Sequence, residues 1–163
     1  LNMFKAKILN INIANTIREL KSVSFDHVFM NPPYFKQNSV KKSHTLSSHQ
    51  AKVESMPLSA WFSVAKNRCK PNGKITIIQR VERLPDIIKC LDGYFGQVTV
   101  QPISSFKDTS PKTVIVQATK TSGAAFKLLA PKIVHRRDGI SGKVVYEDEF
   151  KKILRYGHPL QLN

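Results

Sequence analysis

Two consecutive prolines constrain this chain more than any other feature. Pro32 and Pro33 come directly after a short apolar run, residues 28–30, in the stretch Phe25-Asp26-His27-Val28-Phe29-Met30-Asn31-Pro32-Pro33-Tyr34-Phe35. The run reads as a strand buried on both faces. Neither proline has an N–H to donate, and both hold φ near −65°, so the strand must end at Asn31. The prolines then make a rigid turn at the carboxyl end of a strand, the edge where open α/β sheets bind ligands. Within four residues the turn offers an amide, free backbone carbonyls and an aromatic face. That set suits a planar ring bearing an amine. Asn31 Oδ1 and the Pro32 carbonyl can accept from an exocyclic NH2 while Tyr34 stacks on the ring. The plainer alternative is a proline-rich surface turn or polyproline segment.

The rest of the chain alternates in the manner of an α/β domain. Residues 4–13 read as a strand, and residues 58–69 as an amphipathic helix with Trp61 anchored against the sheet. Lys70-Pro71-Asn72-Gly73 reads as the stop of that helix. A strand over 74–79 and a helix over 85–91 come next. Strands over 96–103 and 112–119 read as an antiparallel pair closing the sheet. The tail holds an extended piece at 128–134, a basic turn at 136–139 and a helix at 147–154.

At 163 residues the chain fits one domain, and 41% hydrophobic content supports a packed core. No apolar run reaches the eighteen or so residues of a membrane span, and neither cysteine has metal-ligand spacing, so the expectation is a cytoplasmic protein with free thiols and no metal. Lys and Arg number 26 against 11 Asp and Glu, a net charge of +15. An excess of that size favours a polyanionic partner, nucleic acid before membrane. The polar segment after Tyr34 carries Lys36, Lys41 and Lys42, placed to grip phosphates beside the turn; solvated disorder is the alternative. Arg80 and Arg83 come after the 74–79 strand at the same sheet edge and are further candidates for substrate contact.

The Asn-Pro-Pro-Tyr turn resembles that of S-adenosylmethionine-dependent amino-methyltransferases. The order of strand, turn, polar loop, helix, strand, helix and antiparallel pair resembles the second half of a class I methyltransferase. With Leu58-Ser59-Ala60-Trp61-Phe62, Arg80-Val81-Glu82-Arg83-Leu84 and Ala130-Pro131-Lys132-Ile133-Val134-His135, the chain looks like the tRNA adenine-N6 methyltransferases that act beside the anticodon of a valine tRNA. The resemblance implies a Rossmann-like α/β fold, methyl transfer from S-adenosylmethionine to an adenine amine, and tRNA as partner. It gives Asn31, Pro32, Pro33 and Tyr34 the catalytic positions, with Phe35 aiding the stacking. Asn31 would also meet the cofactor. Asn12 stands where the family places an Asp toward the cofactor's adenine. A release-factor glutamine methyltransferase, which uses the same four residues on an amide, and a catalytically silent RNA-binding remnant are the alternatives.

The Gly-rich loop and acidic residue that hold the cofactor in such folds have no counterpart here, and Gly93-x-x-Gly96 comes after a helix rather than a first strand. The expectation is therefore one partial methyltransferase domain over residues 1–163, the carboxyl part of a longer enzyme without its N-terminal cofactor-binding strands. The 163-residue chain should then bind S-adenosylmethionine weakly. Titration calorimetry that finds clear micromolar affinity would contradict this.

Overall fold

The computed structural model describes residues 8–9, 20–34 and 56–162. The 4–13 strand, Asn12, Phe35 and the lysines at 36, 41 and 42 lie outside, wholly or nearly so. The described elements begin with strand β1 (Phe25–Met30), helix α1 (Leu58–Arg68) and strand β2 (Cys69–Arg80). A 3-10 turn (Val81–Arg83) leads into α2 (Leu84–Leu91), then β3 (Phe95–Ser104) and β4 (Thr113–Lys120). Short strands β5 (Lys127–Leu128) and β6 (Lys132–Ile133) precede a hairpin of β7 (His135–Arg137) and β8 (Val144–Tyr146), and helix α3 (Asp148–Tyr156) comes last.

The main sheet runs β1-β2-β4-β3-β5, with β6 also paired to β3. β1 is parallel to β2, while β4 is antiparallel to both β2 and β3. β1, β2 and β3 therefore point the same way, and β4 returns between two of them. The expected antiparallel pair is present, and its second strand is inserted inside the sheet. Asn31, Arg80 and Ser104 consequently share one edge, the carboxyl edge of the parallel strands.

Both long helices cover one face of the sheet. Leu58, Phe62 and Ala65 recur at helical spacing on α1 and are buried, as are Ile87 and Leu91 on α2. They meet a row of alternate strand residues: Met30, Ile75, Ile77, Val100, Val114, Val116 and Ala118. Trp61 packs half-buried against this cluster, as the sequence suggests. The opposite face carries His27, Phe29, Thr76, Ile78, Ile115 and Gln117, which are only partly covered. Contrary to the expectation from its apolar run, β1 is not buried on both faces, for Phe29 is 73% exposed while its neighbour Met30 is buried. Among the described residues β1 pairs only with β2, and helices cover only the face that Met30 shares.

Lys70-Pro71-Asn72-Gly73 also departs from expectation, for it does not separate helix from strand. The helix ends one residue earlier, where the Cys69 N–H bonds back to Ala65 O, and the four residues form a bulge within β2. Phe25 pairs with Cys69 and His27 with Lys74, so the extra residues must loop out. Asn72 takes a left-handed φ of 60° to do so, and Lys70 Nζ bonds Asp26 Oδ1 at 2.8 Å across the gap.

Close packing dictates Gly96 at the start of β3, where the register against β4 shifts. A Cβ there would lie 1.8 Å from the backbone oxygen of Ser122. Gly96→Ala must push that segment away, and overpacking of this kind costs roughly 1–3 kcal/mol. A urea unfolding midpoint equal to the parent's would show that the 121–124 turn yields freely.

Candidate active site

The turn after β1 is held from behind by Gln79. This side chain is fully buried, 0% exposed, at the end of β2. Its Nε2 donates to the Pro33 carbonyl at 3.1 Å and lies 3.4 Å from the Pro32 carbonyl. Its Oε1 accepts from the Arg80 backbone N–H at 2.9 Å. An amide suits this place because it donates and accepts at once, and two proline carbonyls without such a donor would be buried unpaired. The Pro32 ring is fully buried, Pro33 and Tyr34 are half-buried, and Asn31 is exposed. The turn is thus fixed through its prolines and presents its amide outward.

Gln79 escapes notice in a reading by motif, although the sequence does carry a signal. It continues the row Ile75, Ile77, Gln79 at a spacing of two, which places a polar side chain in an inward-facing apolar file. The Pro32 carbonyl, expected to face a substrate amine, is instead buried beside Gln79, so of that expected pair of acceptors only Asn31 is exposed.

Arg80 and Arg83 flank the same edge in different ways. Arg80 Nη2 meets Glu82 Oε1 at 2.8 Å near the surface, and the bond holds the Glu82 carboxyl below its ordinary range. Arg83 is 7% exposed, and its Nε bonds Asp86 Oδ2 at 3.1 Å. The expectation of a substrate contact therefore changes for Arg83. A buried guanidinium bonded into the first turn of α2 secures the start of that helix, while Arg80 is the more exposed of the two.

Beside Asn31, on the sheet face away from the helices, lies a cavity of about 580 Å3. Its wall includes His27, Phe29, Thr76 and Gln117, with Leu160 and Leu162 of the tail closing one side. His27 Nε2 and Thr76 Oγ1 are 2.8 Å apart, and Gln117 Nε2 donates to the same hydroxyl at 3.1 Å. The His27 ring also stacks on Phe29, with centroids 4.0 Å apart. Burial lowers the imidazole's pKa, and the Lys74 charge adds to the effect.

The described residues lack the groups that usually hold S-adenosylmethionine in such a fold. Gly73 lies in the β2 bulge beside Asp26, and Gly93 and Gly96 lie around the start of β3, all at the amino edge. Among the described residues no Gly-rich turn succeeds a parallel strand at the edge where Asn31 sits. Of the carboxylates near that edge, Glu82 and Asp86 already pair with Arg80 and Arg83.

No protein-family model matches the chain, and no curated protein sequence does. Among solved structures, one described as a predicted O-methyltransferase, protein Atu636 from Agrobacterium tumefaciens, is similar with a TM-score of 0.65 and 20% identity. The match covers 89% of this chain and 60% of that one. An M1.HpyAVI–SAM complex gives a TM-score of 0.39 at 14% identity, covering 75% of this chain and 53% of that one, too slight a likeness to argue from. The fold is the Rossmann-like class I methyltransferase fold, and the chain spans about 60% of the length of Atu636.

If Gln79 locks the turn, Gln79→Leu should cost about 1–3 kcal/mol, the usual penalty for stranding buried acceptors. Gln79→Glu should cost more at neutral pH, because a carboxylate would face two carbonyls. Acidifying should recover part of that loss, since a protonated carboxyl can donate again. Urea titrations of both variants at two pH values test this; two variants as stable as the parent would remove the lock.

Proposed function

We propose that this chain is the acceptor-binding part of a methyltransferase domain that moves a methyl group from S-adenosylmethionine to the exocyclic N6 of an adenine in tRNA. The observation that carries the reading is the exposed Asn31 on a proline turn clamped by buried Gln79. Sequence resemblance to adenine-N6 methyltransferases supports the choice of base, and the +15 charge supports a nucleic-acid substrate.

The chemistry assigned to the chain's own residues is placement. Asn31 Oδ1 accepts one N–H of the amine. With that hydrogen fixed and the ring held against Tyr34, the nitrogen lone pair is restricted in direction. Tyr34 supplies a face for an adenine taken out of its stack. The cofactor, when bound, supplies an electrophilic methyl group. No side-chain base is required, because the amine can lose its proton after transfer. Orientation and polarisation carry the rate, and a clamped turn supplies both without rearrangement.

A methyl-transfer assay on tRNA, with release factor as the competing acceptor, tests the reading in an enzyme able to bind cofactor. Asn31→Ala should mainly lower turnover, on the order of a hundredfold for a lost oriented polar group. Tyr34→Ala should lose about 1–3 kcal/mol of base stacking, while Tyr34→Phe keeps most activity. If Tyr34→Phe is as inactive as Tyr34→Ala with the fold intact, stacking is the wrong account of this residue. Transfer to release factor alone would replace tRNA with protein as the substrate.

A further inference from the structure

Outside the main sheet, β7, β8 and α3 form a small unit that adds almost nothing to the core. No residue of α3 is buried. A nine-residue helix is marginal unless packing supports it, so this one is better understood by what it presents. Between hairpin and helix lies a cleft of about 490 Å3, lined by Arg136, Lys151 and Arg155 with Tyr146 as an aromatic wall. His135 stacks on Tyr146, centroids 5.0 Å apart, and also meets Phe106 at 5.7 Å, tying the hairpin to the loop after β3.

The acids in and around the cleft serve the unit's own structure. Asp138 Oδ1 accepts from the Ile140 and Ser141 N–H groups and from the Ser141 hydroxyl, and these bonds hold its carboxyl below the ordinary range. Asp148 lies in the first turn of α3, where the helix dipole favours it. Glu149 pairs with Lys132, and Glu147 stands 3.6 Å from Arg136, an exposed and long contact that a phosphate can displace. Lys151, Lys152 and Arg155 make no ion pair among the described residues.

The unit's position matters as much as its charge. Its chain leaves the sheet where Val134 N–H bonds Ser104 O and His135 N–H bonds Ser105 O, at the carboxyl end of β3. That is the edge on which Asn31 sits. Between them lie four strand steps, β1 to β2 to β4 to β3 to β6. At about 4.8 Å each these span ~19 Å. An A-form RNA stem rises less per base pair than the ~3.4 Å of DNA, so the gap corresponds to more than about six base pairs.

We propose that the β7–β8–α3 unit grips the phosphate backbone of the RNA stem flanking the target adenine, with Arg136, Lys151 and Arg155 as the phosphate contacts. The inference rests on the reading of an adenine in structured RNA as substrate. The unit sets how far along the stem the protein reaches, and the clamped turn takes the base.

The test uses the full chain, fluorescence titration at several salt concentrations, and RNA hairpins whose stems differ only in length. Arg136→Gln, Lys151→Gln and Arg155→Gln together should lower the slope of log affinity against log salt by about two to three units on a hairpin with a stem of about eight base pairs. Circular dichroism of this variant should match the parent. For the parent, cutting the stem to two base pairs should produce the same loss of slope, and the triple variant on the short stem should lose nothing more. An unchanged slope on the long stem overturns the proposal. So does an equal loss on unstructured RNA, or binding to anionic phospholipid vesicles with none to RNA, which the exposed Ile140 and Leu154 could support. Methylation is scored separately: stem-dependent binding with no adenine methylation would retain the grip and reject the proposed function.

Discussion

A single buried amide joins the two parts on which the proposed chemistry depends. Gln79 sits at the end of β2, 47 positions along the chain from Pro32, yet it supplies the N–H groups that the proline turn needs. Prolines make a turn stiff by removing donors and fixing φ, and the same property leaves their carbonyls in need of partners. The turn cannot satisfy itself, so it must be built against another strand. β2 can offer Gln79 at the right height only because β1 and β2 are parallel and in register from His27 to Met30. The turn that carries Asn31 is thus held by the sheet rather than by its own loop.

The two faces of that sheet have different tasks. One is closed by α1 and α2 and contains almost all the buried apolar side chains. The other bears a polar contact row, His27, Thr76 and Gln117, beside the exposed Phe29. The excess positive charge is likewise divided between tasks. Arg83 is used up inside the fold, whereas the cations of the α3 unit face solvent beside a cleft. A net charge of +15 predicts affinity for polyanions but not where they dock. Burial separates the two kinds of arginine.

Much of the architecture is legible in the sequence because it comes from period and punctuation. Alternation over 112–119 and helical spacing at Leu58, Phe62 and Ala65 each report one buried face, and both elements fall close to where the pattern puts them. Sequence fails where the local signal is ambiguous. Lys70-Pro71-Asn72-Gly73 has turn composition, but whether such a turn separates two elements or bulges from one strand depends on the partner strand. The β7–β8 hairpin escapes detection because its strands have three residues each and expose arginines, too short for a period to show. Phe29 reads as interior because an apolar run cannot say what covers it. At the candidate site the turn itself is plain from sequence, while Gln79 becomes visible only as part of an inward-facing file.

The insertion of β4 between β2 and β3 has a consequence for how the molecule comes together. Until Thr113–Lys120 has been made, β2 and β3 each lack the neighbour that lies between them. During synthesis the edge of β2 opposite β1 must therefore wait for roughly forty further residues, with its backbone groups unpaired and apolar side chains beside them. The seating of β4 closes both edges at once. The last long strand acts as a keystone, and its arrival fixes β2 and, through Gln79, the turn that β2 supports.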